Sequence, residues 1–275
     1  MKNILAHGDC VKLMGKIKDE FADLVFADPP FNIGFPYDIY DDDRAPQEYM
    51  DWSKVWLTQA IRILKKNGSL WLAIGDAFAS ELDCLVKSLG MHRRSWVIWY
   101  FTFGQNAPGN FTSSHTHLFY YTKSRKDYQF YPDAIKVPSA RQIVYKDSRA
   151  KEGGRLPDNT WLLRPQNIET AGGFDEMDNT WHVPRVNGTF KERAGFHGCQ
   201  MPEAVLARII KSCTKKNDLV VDPFCGSGTT PAVAKKLGRS CITFDISDAY
   251  IDNAKKRVEA CTEDDTVGDG YYATK

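Results

Sequence analysis

The sequence predicts an α/β protein built on a mostly parallel, doubly wound sheet, and three observations carry that reading. Short apolar, β-branched or aromatic runs recur along the chain. Stretches of helical spacing separate several of them. The rhythm breaks once, in a long stretch rich in Gly, Pro, Asn, Arg and Trp. Strands that alternate with helices pair in parallel, because the helical crossovers cover both faces of the sheet.

Seven strands are expected, at residues 3–6, 24–27, 69–74, 96–101, 117–122, 219–221 and 241–244. Helices are expected at 47–65, stopping before Gly68; at 203–213, opened by Pro202; and at 230–237, stopping at Gly238. The irregular stretch at 124–196 lies between two regular blocks and reads as an inserted recognition segment. The chain therefore divides into 1–123, 124–196, 197–261 and a polar tail at 262–275 that is expected to fray. Within the segment "DNTW" occurs at 158–161 and 178–181, read as two similar turns entering extended strands; "DDD" at 41–43 reads as a solvated loop.

With 275 residues and a hydrophobic fraction of 43%, the chain can bury one large core. No window approaches the ~18 apolar residues of a membrane span, and "MKNILAHGD" leaves no room for a secretory signal, so a cytoplasmic protein with no membrane partner is expected. The seven cysteines include no CxxC pair, which supports neither a disulfide framework nor a zinc knuckle. Lys plus Arg number 36 against 35 Asp plus Glu, so any nucleic-acid surface must be local. Residues 123–164 supply a candidate, with ten basic side chains against five acidic ones.

Two turns stand out. In "FADPPFNIGF" at 26–35 a buried strand ends on Asp28-Pro29-Pro30-Phe31, where two prolines remove backbone donors and forbid helix, leaving carbonyls free to face a ligand. In "LVVDPFCGSGTTPAVAKKLG" at 219–238 a strand runs into a glycine turn and a helix start, with Gly226 and Gly228 permitting close approach of a ligand. No Lys follows Gly228 as a P-loop requires, Pro231 occupies the third glycine position of a dinucleotide fingerprint, and Ser227 lacks the flanks of a nucleophile elbow. Asp245 closes the next strand, where an acid can accept hydrogen bonds from both ribose hydroxyls. Together they point to a nucleoside ligand without a pyrophosphate.

These motifs, with "GDC" at 8–10, "NGSLWLAIGD" at 67–76, "SHTHLFYYTKS" at 114–124 and "QMPEAVLARII" at 200–210, resemble the beta group of DNA amino-methyltransferases, which make N6-methyladenine or N4-methylcytosine. The resemblance covers most of the chain outside the recognition segment. It implies a Rossmann-like, seven-stranded methyltransferase sheet with an inserted target-recognition segment, S-adenosylmethionine as cofactor and double-stranded DNA as partner. A homodimer is possible, and a companion restriction endonuclease is left open. Asp28, Pro29, Pro30 and Phe31 become the catalytic tetrapeptide. Asp28 and the Pro29 carbonyl accept from the exocyclic amine, and Phe31 stacks on a base that has left its helix. The cofactor residues become Asp9, Asp28, Gln200, Pro202, Asp222, Phe224, Cys225, Gly226, Ser227, Gly228, Thr229, Thr230 and Asp245, with no metal. Met201 departs from the family, which commonly has Lys before that proline.

Asp28 favours adenine N6, since the resemblance implies Ser there for most cytosine N4 enzymes; cytosine N4 remains the alternative. Methylation of RNA or of a protein glutamine, where Asn commonly replaces Asp28, and a DNA-binding module without turnover are the other readings. No cysteine follows a proline, which disfavours covalent cytosine C5 chemistry. His115 and His117, two apart on a presumed strand, are expected to pack or hydrogen-bond, no carboxylate or cysteine group joining them.

Overall fold

The computed structural model describes all residues except 1, 106–108, 110, 138, 144, 151–152, 162–185, 187–191, 264 and 268–275, and the backbone alone at 102–105, 140, 143 and 161. The chain opens with β1 (Asn3–His7) and the short α1 (Cys10–Met14), capped by the Asp9 carboxylate, which accepts from Lys12 N. β2 (Ala22–Ala27) is buried at every residue, as an interior strand covered on both faces must be. α2 (Pro46–Ile63) starts on a proline and buries Tyr49, Trp56, Leu57, Ala60 and Ile63 along one stripe.

β3 (Leu64–Ile74) follows α2 with no intervening loop. It is longer than expected because residues 65–68 bulge between the Ala22–Leu64 and Leu24–Ser69 pairings. Gly68 makes that bulge possible, since a Cβ there would stand 2.9 Å from the Asp23 carbonyl oxygen. α3 (Ala79–Ser88) leads to β4 (His92–Gln105) and β5 (Ser113–Thr122), which form an antiparallel arm longer than the expected strands. Then come α4 (Ala140–Ile143), β6 (Thr160–Trp161), α5 (Glu203–Cys213), β7 (Leu219–Asp222), α6 (Thr229–Lys236), β8 (Ser240–Asp245) and α7 (Asp248–Glu259).

The sheet order is β1-β8-β7-β2-β3-β5-β4-β6. All seven expected strands are present, and β6 is an eighth that pairs in parallel with β4. It lies in the first "DNTW"; the second falls outside the described residues. Successive strand residues face opposite layers. Leu24, Phe26, Trp71, Leu118 and Val220 pack with α5 and α6, whereas Val25, Leu70, Leu72, Phe119 and Val221 pack with α1, α2 and α3. No helix among the described residues is long and apolar enough to cross a membrane.

The topology brings the two turns together. β7 pairs in parallel with β2, Leu24 opposite Val220 and Val25 opposite Val221, so Asp28 and Asp222 emerge at the carboxyl ends of neighbouring strands. From here the chain winds outward in both directions, through α2 to β3 and through α6 to β8. Such a reversal opens a crevice between the crossovers.

Candidate active site

The crevice is a cavity of about 450 Å³, bordered by the turns after β1, β2, β3, β7 and β8. That volume suits a nucleoside-sized ligand. After β2 the Pro30 carbonyl accepts from the Tyr49 hydroxyl at 2.7 Å, while no described residue donates to the Pro29 carbonyl. The Phe31 ring lies against Gly75 at the end of β3, where a Cβ would meet it at 3.0 Å. The chain then turns at Asn32, in the left-handed region with φ 58°. Asp42 fixes this loop by accepting from the backbone N–H groups of Asn32, Ile33 and Phe35 at 2.8, 3.1 and 3.0 Å. The expectation of a solvated "DDD" is thus corrected at its middle residue: Asp42 is 3% exposed, because three amides need its charge.

After β7 the glycine turn is braced from both sides. Asp222 accepts from Phe224 N at 2.9 Å, and Asp245 accepts from Gly226 N at 2.8 Å and Ser247 N at 2.9 Å. Arg257 of α7 donates to the Ser227 carbonyl at 3.0 Å and the Thr229 hydroxyl at 2.9 Å, and also reaches buried Glu203, which holds Lys236. The Ser247 hydroxyl donates to Asp38, so the 32–44 loop is tied across to α7.

Most of the expected site residues meet here. Asp9, Asp28, Pro29, Pro30, Phe31, Gln200, Asp222, Phe224, Cys225, Gly226, Ser227, Thr229, Thr230 and Asp245 all border the crevice. Pro202 and Gly228 do not. Pro202 caps α5, and Gly228 serves helix packing: with φ +73°, a Cβ on it would stand 2.7 Å from the Ala254 Cβ of α7. The Gln200 amide is spent on the chain itself, donating to the Glu192 carbonyl and accepting from Ala194 N.

Two groups escaped the sequence reading. His197 sits over the glycine turn, where a Cβ on Gly226 would stand 3.1 Å from its Nε2. Its Nδ1 accepts from Cys199 N at 3.2 Å, which assigns the proton to Nε2, and burial holds the imidazole neutral with a pKa of about 4. Asp76 is the second. The expectation that no carboxylate joins the two histidines is corrected: Nε2 of both His115 and His117 lies within 2.9 Å of one Asp76 oxygen, because β3 and β5 pair Ile74 with His117. Trp96 Nε1–H donates to His117 Nδ1 at 2.9 Å, so His117 carries its proton on Nε2 and gives it to Asp76. A metal ion would need that Nε2 lone pair at the expense of the Trp96 bond, and the cluster reads as a hydrogen-bond network.

Seven aspartates and one arginine, Arg44, are the charged carboxylate and basic side chains around the crevice. Burial, then the charge of Asp222, pushes Asp28 up to about 8. Burial likewise pushes Asp222 up to about 7, against the hydrogen bonds from Thr230 and Phe224 N that lower it. Burial also raises Asp245. Carboxyls raised in this way ionise more readily beside a cation.

The N6_N4_Mtase family model, described as DNA methylase, matches residues 22–256. The chain belongs to the DNA amino-methyltransferases. Its tetrapeptide precedes its glycine turn, the order of the beta group. This methyltransferase is 31% identical over 261 residues to the Type II methyltransferase M.HpaI of Haemophilus parainfluenzae, spanning 94% of this chain and 75% of that relative. It is also 31% identical over 263 residues to the DNA adenine methyltransferase YhdJ of Escherichia coli (strain K12), spanning 94% and 83%. Among solved structures, PvuII DNA methyltransferase (cytosine-N4-specific) shares the fold with a TM-score of 0.66 at 17% identity, over 94% of this chain and 86% of that one. TTHA0409 of Thermus thermophilus, complexed with S-adenosyl-L-methionine, does so with a TM-score of 0.60 at 17% identity, over 96% and 99%.

Proposed function

We propose that the enzyme methylates the N6 amine of adenine in double-stranded DNA, on a base turned out of the helix. The observation that carries this reading is the acceptor pair after β2, the Asp28 carboxyl beside a Pro29 carbonyl that no described residue engages. The name of the relative YhdJ, a DNA adenine methyltransferase, supports the same choice of base.

S-adenosylmethionine is the cofactor, and bound in the acidic crevice it supplies an electrophilic methyl group on a cationic sulfur. Gly226 leaves the glycine turn open to it, and Asp245 offers its remaining lone pairs to the ribose. His197 directs an N–H toward an oxygen acceptor. On the other side, an exocyclic amine is a poor nucleophile because its lone pair is delocalised into the ring. Asp28 and Pro29 O, accepting its two hydrogens, draw the nitrogen toward tetrahedral geometry and release that pair for attack. As the methyl group would pass from the sulfur to the nitrogen, the S–CH3 bond breaking and the cofactor leaving as a neutral thioether, the nitrogen would become strongly acidic. Asp28, whose surroundings favour the protonated form, takes up the proton and passes it to water. Phe31, backed by Gly75, stacks on the base and holds it in register.

Sequence selection is assigned to the 124–196 segment. In its described part, Lys136 pairs with Asp133, Arg141 and Arg149 with Asp147, and Arg155 with Asp158. Arg141 and Arg149 are exposed, and ion pairs at a protein surface are weak enough for phosphates to displace.

Nucleoside mass spectrometry of DNA treated with enzyme and labelled cofactor tests the choice of base. Labelled N6-methyladenine is expected; labelled N4-methylcytosine in its place would refute it.

A further inference from the structure

The crevice carries seven aspartates and one arginine, so it offers little attraction to the phosphates of the polymer on which the enzyme acts. In the described part of the recognition segment Lys136, Arg141, Arg149 and Arg155 are each paired with an aspartate. The opposite end of the sheet is different.

Where α3 ends, β4 begins and the chain leaves β5, a concavity of about 540 Å³ has Lys87, His92, Arg93, Arg94 and Arg125 as its polar side chains. Lys87 and Arg93 share the buried Asp83 carboxylate, at 2.8 and 2.5 Å. Arg94 donates to the Arg125 carbonyl at 3.2 Å and to the Tyr128 hydroxyl at 2.6 Å, and Arg125 Nε approaches His92 Nδ1 at 3.5 Å. No carboxylate among the described residues pairs with Arg94 or Arg125. Four cations therefore face one carboxylate, an excess of three charges, and the next two residues on the turn, Lys126 and Asp127, cancel. Aromatic rings steady two of the guanidinium groups, Arg93 over Trp96 at 4.9 Å and Arg94 over Tyr128 at 4.4 Å. Arg93, Arg94 and Arg125 are exposed. Guanidinium forks held in place and facing water match the oxygens of a phosphate.

His92 at the start of β4 lies opposite Thr122, whereas Tyr100 lies opposite His115, which borders the crevice. The concavity and the crevice thus occupy opposite ends of β4 and β5, roughly 25 Å apart at the rise of a strand. We propose that this concavity binds the phosphate backbone of DNA, on a stretch of the polymer apart from the target site. Held there, the enzyme stays on the polymer while the crevice engages and releases its base. The proposal goes beyond the choice of base and holds whichever amine is methylated.

The test compares the wild type with the double variants Arg94→Ala/Arg125→Ala and Arg94→Lys/Arg125→Lys, on a short duplex holding one target site and on a plasmid holding the same site. On the plasmid the alanine variant should lose about tenfold in kcat/KM, and its slope of log K against log salt should be shallower by about two, as expected for two lost phosphate contacts. On the short duplex it should stay within about twofold of the wild type. The lysine variant, which keeps both charges, should restore most of the plasmid rate. An unchanged plasmid rate and salt slope, or equal losses on both substrates, would overturn the proposal. Binding of inorganic triphosphate that the alanine variant loses while its plasmid affinity is unchanged would assign the concavity to a small anion and overturn it as well. The salt slope is read without turnover, so its outcome is distinct from that of the adenine reading.

Discussion

Asp28→Asn is expected to cost methyl transfer about a hundredfold to a thousandfold in kcat, while making the folded protein more stable at alkaline pH. Asparagine keeps an oxygen acceptor near the amine but has neither the negative charge nor the capacity to take the departing proton. The stability gain has a separate origin. In the folded enzyme the Asp28 carboxyl titrates at about 8 because burial and the charge of Asp222 disfavour its anion. In the unfolded chain it titrates near the ordinary value of about 3.9. Between those two limits the folded state holds a proton that the unfolded state has released, so raising the pH through this window removes stability from the wild type. Asparagine carries no such penalty. The difference between the two proteins should be near zero at pH 4 and grow to about 2–3 kcal/mol by pH 8, discounting for the carboxyl's partial access to water. Urea denaturation at both pH values measures it. A gap that does not widen with pH would show that Asp28 is not held in an unfavourable ionisation environment.

Gly228→Ala should damage the fold, and Gly226→Ala the cofactor site. At Gly228 the added Cβ would meet the Ala254 Cβ at 2.7 Å and its Cα at 3.1 Å, with the backbone in the left-handed region. Left-handed strain of about 1 kcal/mol and forced displacement of α7 combine to a loss of about 2–4 kcal/mol, or roughly 3–7 °C in Tm. At Gly226, with φ +48°, the nearest atom is His197 Nε2 at 3.1 Å, the end of a side chain on the crevice wall. There the loss of cofactor affinity should exceed the loss of stability. Thermal denaturation with and without S-adenosylmethionine separates the two. If Gly228→Ala keeps its Tm while losing cofactor binding, the packing role assigned to this glycine is wrong.

That pair of glycines also shows how far the sequence could be read. Strand, glycine turn and helix were legible from the apolar run at 219–221 and the spacing that follows it, and so was the joint site with Asp28. Which glycine faces a ligand depends on where α7 lands, and no local pattern encodes that. The seven main strands announced themselves as apolar runs, the central ones because a sheet covered on both faces buries nearly every residue. The outer parts of β4 and β5 did not, since His92, Arg93, Ser113 and Ser114 carry no apolar signal, and the two residues of β6 are too few to make a pattern. Asp42 looked like a solvated acid because its partners are backbone amides, which composition does not register. Asp76 meets His115 and His117 only through the antiparallel register of β3 and β5. His197 stood alone between Phe196 and Gly198 with no spacing to mark it. Glu203, which is buried, and the half-buried Lys236 and Arg257 that brace the glycine turn come from three separate helices.

The most direct test of the acidic crevice is calorimetry of S-adenosylmethionine binding at pH 7.5 in two buffers of different ionisation enthalpy. With Asp28 titrating at about 8 in the empty crevice, most molecules hold a proton there, and a cationic sulfur arriving beside it should expel that proton. The account predicts a buffer-dependent heat corresponding to release of part of a proton in the wild type, and its marked reduction, to the smaller share that Asp222 releases, in Asp28→Asn with binding retained. Binding with the same buffer-dependence in both proteins, or no binding at all, would contradict it.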